Sequence, residues 1–238
     1  ELTATPESNK VRTSSQTDQL TGAIAVGNNL SLSPLFNSGG LVGYWKFDEG
    51  AGTVAKDSSG NGSAGTWSGS GSHWTTSGKV GGAGQFNGSN DLVTVTNISP
   101  PVAKASRTEA AWFNFSDMAI NHRTIFAWGV NGAGLLSGIE VTTNAGHPGL
   151  NAENWSPDCY GTATLASNTW NFGVATFDGT TMKVYTNGVF TNSCALPNVN
   201  TSSSALWIGY RYGNIFIGSI DDVRLYNRVL SAAEILAL

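Results

Sequence analysis

Oxygen-bearing side chains recur at alternate positions in the segment 57–62, which reads DSSGNG. Asp57, Ser59 and Asn61 resemble the first half of an EF-hand loop, because calcium prefers oxygen ligands. The twelfth position of such a loop needs a bidentate glutamate, but Ser68 stands there and no helix pattern flanks the segment. The segment is therefore not an EF-hand, and Asp57 also suits the capping position of an Asx turn.

Paired carboxylates would indicate a second chemistry, because glycoside hydrolases use two of them, one as the acid and one as the nucleophile or base. The chain has no ExDxxE pattern, and Asp221 and Asp222 are adjacent, so on a regular strand they would point to opposite faces. No GxSxG motif and no closely spaced histidines occur. The sequence therefore predicts a protein that is not an enzyme. The isolated acidic and histidine residues are Glu109, Glu140, Glu153, His73, His122 and His147.

Exposed aromatic rings would allow a third chemistry, in which sugar C–H groups stack on the rings and polar side chains bind the hydroxyls. Trp155, in NAENWSPDCYG, is the strongest candidate, although simple loop packing would also explain its position. The predicted ligand-contact residues are Trp155, Tyr160, Tyr210 and Tyr212, and Trp67 and Trp74 also lie in loop-like segments. The tryptophans in apolar strand patterns are predicted to be core residues: Trp45, Trp112, Trp128, Trp170 and Trp207.

The two cysteines, Cys159 and Cys194, are too far apart for a CxxC redox or zinc motif. A structural disulfide is predicted, because the rest of the chain has an extracellular character. Closing a loop of this length would stabilise the fold by about 3–4 kcal/mol in the chain-entropy model. The alternative is a pair of separate free thiols.

The composition of the 238-residue chain is poor in charge and rich in turn-forming residues. Charged residues make up 12% of the chain, well below the ~25% of ordinary soluble domains, and glycine occurs 30 times. The net charge of −4 and the scattered Lys and Arg predict no nucleic-acid partner. No apolar run reaches the ~18 residues of a membrane span, so no membrane contact is predicted.

The elements that must position these residues are mostly short strands. From Leu41 onward, segments such as LVGYWKFD and WNFGVATFDG are rich in β-forming residues, and Gly, Asn and Ser clusters separate them. Only LSAAEILAL has a helical pattern, in which Ser231 and Glu234 would form a capping box. Many strands without alternating helices predict an all-β, two-sheet antiparallel sandwich over residues 41–238. Residues 1–40 are predicted to be an N-terminal extension or linker.

Four separated motifs resemble, in this order, those of LamG-like jelly-roll domains in the concanavalin A-like lectin/glucanase superfamily. They are LVGYWKFDEGAGTVAKDSSGNG, GKVGGAGQFNGSNDLVTV, WNFGVATFDGTTMKVYTNGV and GSIDDVRLYNRVLSAAEI. The resemblance covers about residues 41–238. It implies a jelly roll of two curved antiparallel sheets, closed by a short helix, in a secreted or cell-surface protein.

The resemblance also implies a structural calcium ion near the chain ends. Asp48 ends the first strand and Asp221 lies in the last strand, so these carboxylates can meet if the two strands are neighbours. Asn61 and nearby carbonyl groups would complete the coordination shell. Asp48, Asn61 and Asp221 are therefore the predicted ligands, whereas Asp222 and Arg224 would form a surface ion pair.

The expected function is a non-catalytic extracellular module that contacts glycans or cell surfaces, although a fold does not by itself establish a function. In the N-terminal extension, ELTATPES and VGNNLSLSP resemble a segment of bacterial pilin-like surface proteins that carry a LamG-like domain. The alternative function is therefore the structural head of a type IV pilin-like or adhesin filament, with other filament subunits as partners. A glycoside hydrolase is the third hypothesis.

Overall fold

The strand-like segments form short strands in the computed structural model, which describes residues 39–117, 121–144, 146 and 148–238. The strands of the first half are β1 (Leu41–Trp45), β2 (Val54–Ala55), β3 (Gly65–Ser68), β4 (His73–Thr75), β5 (Ala83–Asn87), β6 (Leu92–Val95), β7 (Arg107–Phe115), β8 (Arg123–Gly129) and β9 (Leu136–Thr142). The second half contains β10 (Gly149–Glu153), β11 (Cys159–Tyr160), β12 (Asn171–Phe177), β13 (Thr181–Thr186), β14 (Val189–Ala195), β15 (Leu206–Ile208), β16 (Tyr210–Arg211), β17 (Asn214–Ile215), β18 (Ile217–Tyr226) and the helix α1 (Ala232–Leu236).

Two eight-stranded antiparallel sheets contain most of these strands. Sheet A has the order β11-β10-β9-β8-β15-β6-β3-β2. Sheet B has the order β14-β13-β12-β7-β18-β5-β4, and β1 also pairs with β18. β16 and β17 form a separate two-stranded ribbon. The structure confirms the predicted all-β fold, with two antiparallel sheets and a short C-terminal helix.

The core consists of apolar side chains from the inner faces of the two sheets. Trp45 and Trp128 are completely buried in it, as predicted. Their indole N–H groups donate to the carbonyl oxygens of Ser63 and Pro101, at 2.9 and 3.0 Å. These bonds satisfy the one polar group that each ring carries, so both rings can be fully buried.

Three tryptophans assigned to the core from the sequence lie elsewhere. Trp112 and Trp207 are only half-buried, because they occupy the strand positions that point away from the core. Trp170 precedes β12 and is also half-buried. Trp67 lies in β3 and is 4% exposed, so its assignment to a loop is wrong, and Trp74 packs against the same core.

β18 is the longest described strand and connects three others. It pairs with β7 on one side and with β5 and then β1 on the other, so the first and last strands are neighbours, with Trp45 opposite Val223. A bulge interrupts the β7 pairing between Asp221 and Arg224, and Asp222 has a φ of 50°. The bulge turns both carboxylates to the outer face of sheet B, so the expectation that they point to opposite faces is wrong.

Cys159 and Cys194 form the predicted disulfide, with their Cα atoms 5.7 Å apart. Cys159 lies in β11, an edge strand of sheet A, and Cys194 lies in β14, an edge strand of sheet B. The bond therefore joins the two sheets at one side of the sandwich.

The predicted capping box is present at the start of α1. The backbone N–H of Ser231 donates to Oε2 of Glu234 at 2.9 Å, and the N–H of Glu234 donates to Oγ of Ser231 at 3.3 Å. These reciprocal bonds satisfy two N–H groups that a helix start leaves without partners.

Residues 1–38 of the predicted N-terminal extension, 1–40, lie outside the described residues together with the pilin-like motifs. The predicted boundary at residue 40 therefore stays a prediction, although Gly40–Leu236 does form one compact unit. Among the described residues, the one helix is too short to cross a lipid bilayer.

Candidate functional site

Two of the three predicted calcium ligands, Asp48 and Asp221, bind the same glycine-rich loop between β4 and β5. Oδ1 of Asp48 accepts a hydrogen bond from the backbone N–H of Gly82 at 2.8 Å. Oδ2 of Asp221 accepts from the N–H groups of Lys79 and Val80, at 2.8 and 3.0 Å. The pairing of β1 with β18 thus brings both carboxylates to one loop.

Asn61, the third predicted ligand, lies at a different place. Its Nδ2 donates to the carbonyl oxygens of Leu41 and Val42, at 2.8 and 3.1 Å. These two residues begin β1, whereas Asp48 follows the opposite end of that strand. The structure therefore does not bring Asn61 to the two carboxylates. Within the described ranges, no three His, Cys, Asp or Glu side chains form a group that could hold a metal ion.

Asp57, at the start of DSSGNG, organises a turn. Its carboxylate accepts hydrogen bonds from the backbone N–H groups of Tyr44, Ser59 and Ser63, at 3.0, 2.8 and 2.9 Å. Burial alone would raise the pKa of Asp57, but these bonds and one from the Ser59 hydroxyl lower it below its usual value. Asx-turn chemistry therefore accounts for this residue.

Asp221 has one oxygen left for a further partner. Its Oδ1 is buried and has no hydrogen bond of normal geometry among the described residues. Burial raises the pKa of Asp221 to about 6, and the neighbouring carboxylate of Asp222 adds to this effect. A cation would offset that cost. Asp48 and Asp221 are therefore the two predicted ligands that the fold brings to one loop, and Asp221 keeps a buried oxygen without a hydrogen-bond partner of normal geometry in the described part of the chain.

A row of paired residues crosses the outer face of sheet A, the face directed away from the core. Glu153 of β10 is opposite Gly138 of β9, Gly138 is opposite Ala127 of β8, and Ala127 is opposite Trp207 of β15. Arg211 reaches this row, with its guanidinium carbon 4.6 Å from the centroid of the Trp207 ring. The two smallest residues in the row separate the carboxyl group of Glu153 from that ring.

Glu153 and Arg211 are almost completely buried, with 5% and 3% exposure. Burial, followed by the negative charges of Glu140 and Asp158, raises the pKa of Glu153 to about 9, against the opposing charge of Arg211. Glu153 is therefore protonated at neutral pH. Its Oε2 and the Nε of Arg211 lack hydrogen-bond partners in the described part of the chain. This face consequently has unused hydrogen-bonding capacity.

Two exposed aromatic residues lie at the rim of this face. Trp155 is 42% exposed and Tyr212 is 44% exposed. Their ring centroids are 6.0 Å apart and the ring planes meet at 74°. The guanidinium carbon of Arg211 is 3.8 Å from the centroid of Tyr212. The structure thus brings together two of the four predicted ligand-contact residues, from two separate loops.

The other two predicted contact residues, Tyr160 and Tyr210, are half-buried. The hydroxyl of Tyr160 donates to Oδ2 of Asp158 at 3.2 Å and accepts from Nδ2 of Asn144 at 3.3 Å. Tyr210 is opposite Ile215 in the β16–β17 ribbon. Both tyrosines therefore lie outside the contact between Trp155 and Tyr212.

A second polar group on the outer face of sheet A involves Glu140, which is opposite Asn151 in the β9–β10 pairing. Its Oε1 is 2.7 Å from Nδ1 of His122 and accepts from Nδ2 of Asn151 at 3.0 Å. The hydrogen bond with Glu140 raises the pKa of His122, although partial burial opposes it. Glu140 and Glu153, which are isolated in the sequence, are thus neighbours on adjacent strands.

Comparison with known proteins supports the fold. A family model described as the concanavalin A-like lectin/glucanases superfamily matches residues 87–236. This chain belongs to that superfamily. The predicted resemblance is therefore confirmed. No curated protein matches the chain in sequence.

Solved structures share this concanavalin A-like fold. Domain 4 of AbnA, a GH43 extracellular arabinanase from Geobacillus stearothermophilus in complex with arabinotriose, has a TM-score of 0.65 and 22% identity, over 82% of this chain and 96% of that one. Trypanosoma rangeli sialidase has a TM-score of 0.60 and 17% identity, over 83% of this chain and 32% of its own. The binding domain of Paraclostridial Mosquitocidal Protein 1 has a TM-score of 0.61 and 14% identity, over 84% and 51%. At these identities the likeness shows the fold alone.

Sequence reasoning missed several residues at the site of this concanavalin A-like domain, above all Arg211, Glu140 and Glu153. A partial signal existed, because Glu140 interrupts the apolar segment LSGIEVT and Glu153 ends the strand segment GLNAE two positions after Asn151. A polar residue in such a segment points away from the core when its neighbours point inward. Their meeting depends on the order of strands in sheet A, which the sequence pattern does not state.

Proposed function

We propose that this chain is a non-catalytic glycan-binding module of an extracellular or cell-surface protein, and that Trp155 and Tyr212 contact the ligand. The observation that supports this proposal is the meeting of two exposed aromatic rings, Trp155 and Tyr212. The C–H groups of a sugar stack on such rings, and the exposed Tyr212 also carries a hydroxyl that can hydrogen-bond. The disulfide is consistent with an extracellular location.

Oligosaccharides are the first ligand class to test. Domain 4 of the arabinanase, which shares the fold over most of its length, was solved with arabinotriose. That ligand is a property of the other protein, and the low identity does not transfer it. It nevertheless makes short neutral sugar chains a rational starting set for this chain.

The proposed lack of catalysis is supported by the burial of the two neighbouring glutamates. Glu140 is 0% exposed, and its Oε1 is engaged by His122 and Asn151. Glu153 is 5% exposed. A hydrolytic carboxyl pair must reach both sides of a glycosidic bond, which burial of this degree opposes. Release of reducing sugar from soluble polysaccharides, lost in Glu153→Gln, would contradict the proposal.

The decisive experiment is a set of glycan titrations with matched aromatic variants. Trp155→Ala and Tyr212→Ala should each weaken binding roughly 30-fold or more, as expected for loss of an aromatic contact worth about 2 kcal/mol. Phe190→Ala is the control, because Phe190 is 52% exposed but lies on β14 of sheet B. Equal binding by the wild type and both site variants would place the ligand elsewhere.

We also propose that calcium binds at Asp48 and Asp221 and stabilises the fold. The ion would neutralise a buried carboxylate whose Oδ1 has no hydrogen-bond partner of normal geometry among the described residues. A ligand that binds only the native state must raise its stability, so calcium should raise the unfolding temperature of the wild type. Asp221→Asn should abolish that increase. No change after verified metal removal from the wild type would refute the site.

A further inference from the structure

The angle between the Trp155 and Tyr212 rings restricts which glycans the proposed site can accept. The ring planes meet at 74°, with centroids 6.0 Å apart. The two rings therefore form a corner and not a platform. The surface of a solid polysaccharide is flat, so it can lie on several rings only when those rings share one plane. A single sugar residue can instead stack on one ring and place its edge against the other.

The Arg211 guanidinium packs against the Tyr212 ring from within the protein. The guanidinium of Arg211 lies 3.8 Å from the centroid of Tyr212 and 4.6 Å from the centroid of Trp207. Arg211 is 3% exposed and therefore supports the Tyr212 ring from the protein side, while Tyr212 itself stays 44% exposed.

A tight turn between β16 and β17 holds the backbone of Tyr212. Arg211 and Asn214 are opposite one another in the β16–β17 ribbon, and the turn residues Tyr212 and Gly213 have φ values of 45° and 92°. Positive φ at both central positions is the pattern of a type I′ turn, which suits two-residue hairpins. The backbone N–H of Asn131 also donates to the Tyr212 hydroxyl at 3.3 Å.

Hydrogen bonds of the preceding residue, Asn154, hold the backbone of the loop that carries Trp155. Trp155 and Ser156 have φ values of 68° and 113°, a strained region for residues other than glycine. The N–H of Asn154 donates to Oδ1 of Asp158 at 2.8 Å, and the carbonyl of Asn154 accepts from the N–H of Gly134 at 2.9 Å. These bonds hold the backbone of the loop in that conformation, and the Trp155 ring packs edge-to-face with Tyr212 on it.

We infer that the site binds single soluble oligosaccharide chains, with one sugar residue in the corner between Trp155 and Tyr212, and does not bind the flat surface of an insoluble polysaccharide. This inference rests on the proposed glycan-binding function. It names the physical form of the ligand, which the fold and the exposed rings alone do not specify.

The test compares soluble and solid probes with the whole chain. Cellotriose, chitotriose and arabinotriose are titrated by calorimetry, and microcrystalline cellulose and insoluble chitin are used in sedimentation assays. At least one soluble trisaccharide should bind, and the solids should retain the wild type no better than the Trp155→Ala, Tyr212→Ala double variant. Retention on a solid that requires both rings and resists competition by soluble trisaccharides would overturn the inference while supporting the site. Failure of every probe would contradict the proposed function itself.

Conservative variants separate ring geometry from loss of folding. Tyr212→Phe keeps the ring and removes only the hydroxyl, so the affinity for the soluble trisaccharide should change less than threefold. Tyr212→Ala should weaken it roughly 30-fold or more, and Phe190→Ala should leave it unchanged. Weakening of less than threefold by Tyr212→Ala would show that the ring does not contact the sugar, and would overturn the inference.

Discussion

The outer faces of the two sheets carry similar polar residues and use them in different ways. On sheet B, the Tyr44 hydroxyl donates to Oδ1 of Asp222 at 2.6 Å, and Arg224 donates to the Tyr44 hydroxyl at 2.8 Å and to Oδ2 of Asp222 at 3.1 Å. Both carboxylate oxygens are thus bonded, and Asp222 and Arg224 do form the predicted ion pair, but the pair is largely buried and not at the surface as expected. On sheet A, Glu153 and Arg211 each keep a buried atom without a partner among the described residues.

The aromatic residues show the same contrast. Trp112, on the outer face of sheet B, stacks on Phe172 at 4.9 Å between centroids and is covered by the Lys79 ammonium, 4.2 Å from its ring centroid. Trp155 and Tyr212, at sheet A, present large exposed areas. Closed networks contribute to stability, whereas buried groups without partners reduce it. The contrast is therefore between two groups of residues: the network around Asp222 and Trp112 on sheet B is closed, whereas Trp155 and Tyr212 at sheet A stay exposed beside buried atoms that lack partners among the described residues.

The largest effect is expected when the link between the two sheets is removed. Replacing both Cys159 and Cys194 with serine should lower the free energy of unfolding by about 3–4 kcal/mol, because the disulfide restricts the unfolded chain. Trp155 lies shortly before Cys159, so glycan binding should also weaken. Urea unfolding of oxidised wild type, reduced wild type and the double variant measures the effect. A change below about 1 kcal/mol would show that packing alone holds the sheets together.

The next largest effect tests the closed network of sheet B. Asp222→Asn should cost about 3 kcal/mol, because it removes the carboxylate that faces a largely buried guanidinium. Asparagine tolerates the left-handed backbone at this position, where φ is 50°, so the loss reports on charge and not on strain. Chemical denaturation measures the change, and glycan affinity should stay the same. A neutral effect on stability would remove the distinction between the two faces.

An effect of opposite sign, and dependent on pH, is expected on sheet A. The pKa of Glu153 is raised from 4.5 to about 9, so between these values the folded state holds a proton that the unfolded state releases. Wild-type stability should therefore fall as pH rises from about 5 to about 9. Glu153→Gln should match the wild type near pH 4 and be more stable than it near pH 9. Urea midpoints across this range measure the difference, and parallel pH profiles would contradict it.

The smallest effect concerns the cover over Trp112. Lys79→Met should cost about 0.5–1 kcal/mol, the range of an exposed cation–π contact, whereas Lys56→Met at another exposed position should be neutral. Thermal unfolding compares the two variants. Removing the cover should not create glycan binding, because Tyr44, Asp222 and Arg224 of sheet B remain bonded to one another. Binding of a soluble oligosaccharide to the sheet B face of Lys79→Met would contradict the difference between the two sheets.

Local patterns predicted the elements of this chain well. The capping box of Ser231 and Glu234 and the turn at Asp57 depend on residues a few positions apart, so short-range hydrogen bonding determines them. The exposure of Trp155 and Tyr212 followed from their loop-like surroundings. The core assignments of Trp112 and Trp207 failed, because an apolar strand segment does not show which side of the strand faces the core.

The candidate site could be predicted only in part. The sequence indicated that Asp48 and Asp221 meet if the first and last strands pair, which they do. It did not indicate that Asn61 binds the start of β1, or that a bulge turns Asp221 and Asp222 to one face. Bulges and loop returns arise from the balance of many tertiary contacts, so a single local segment does not encode them.

By itself, then, the sequence determined an all-β, two-sheet sandwich with a cross-linking disulfide and exposed loop aromatics. Strand composition and turn chemistry are local, so they can be read along the chain. Only the tertiary structure decided that Trp155 meets Tyr212, that Glu140 lies beside Glu153, and that Arg211 is buried beneath the rim. Strand order brings together residues that are remote in sequence. Burial is the main cause of the raised pKa of Glu153, and it depends on all the residues that pack over that side chain.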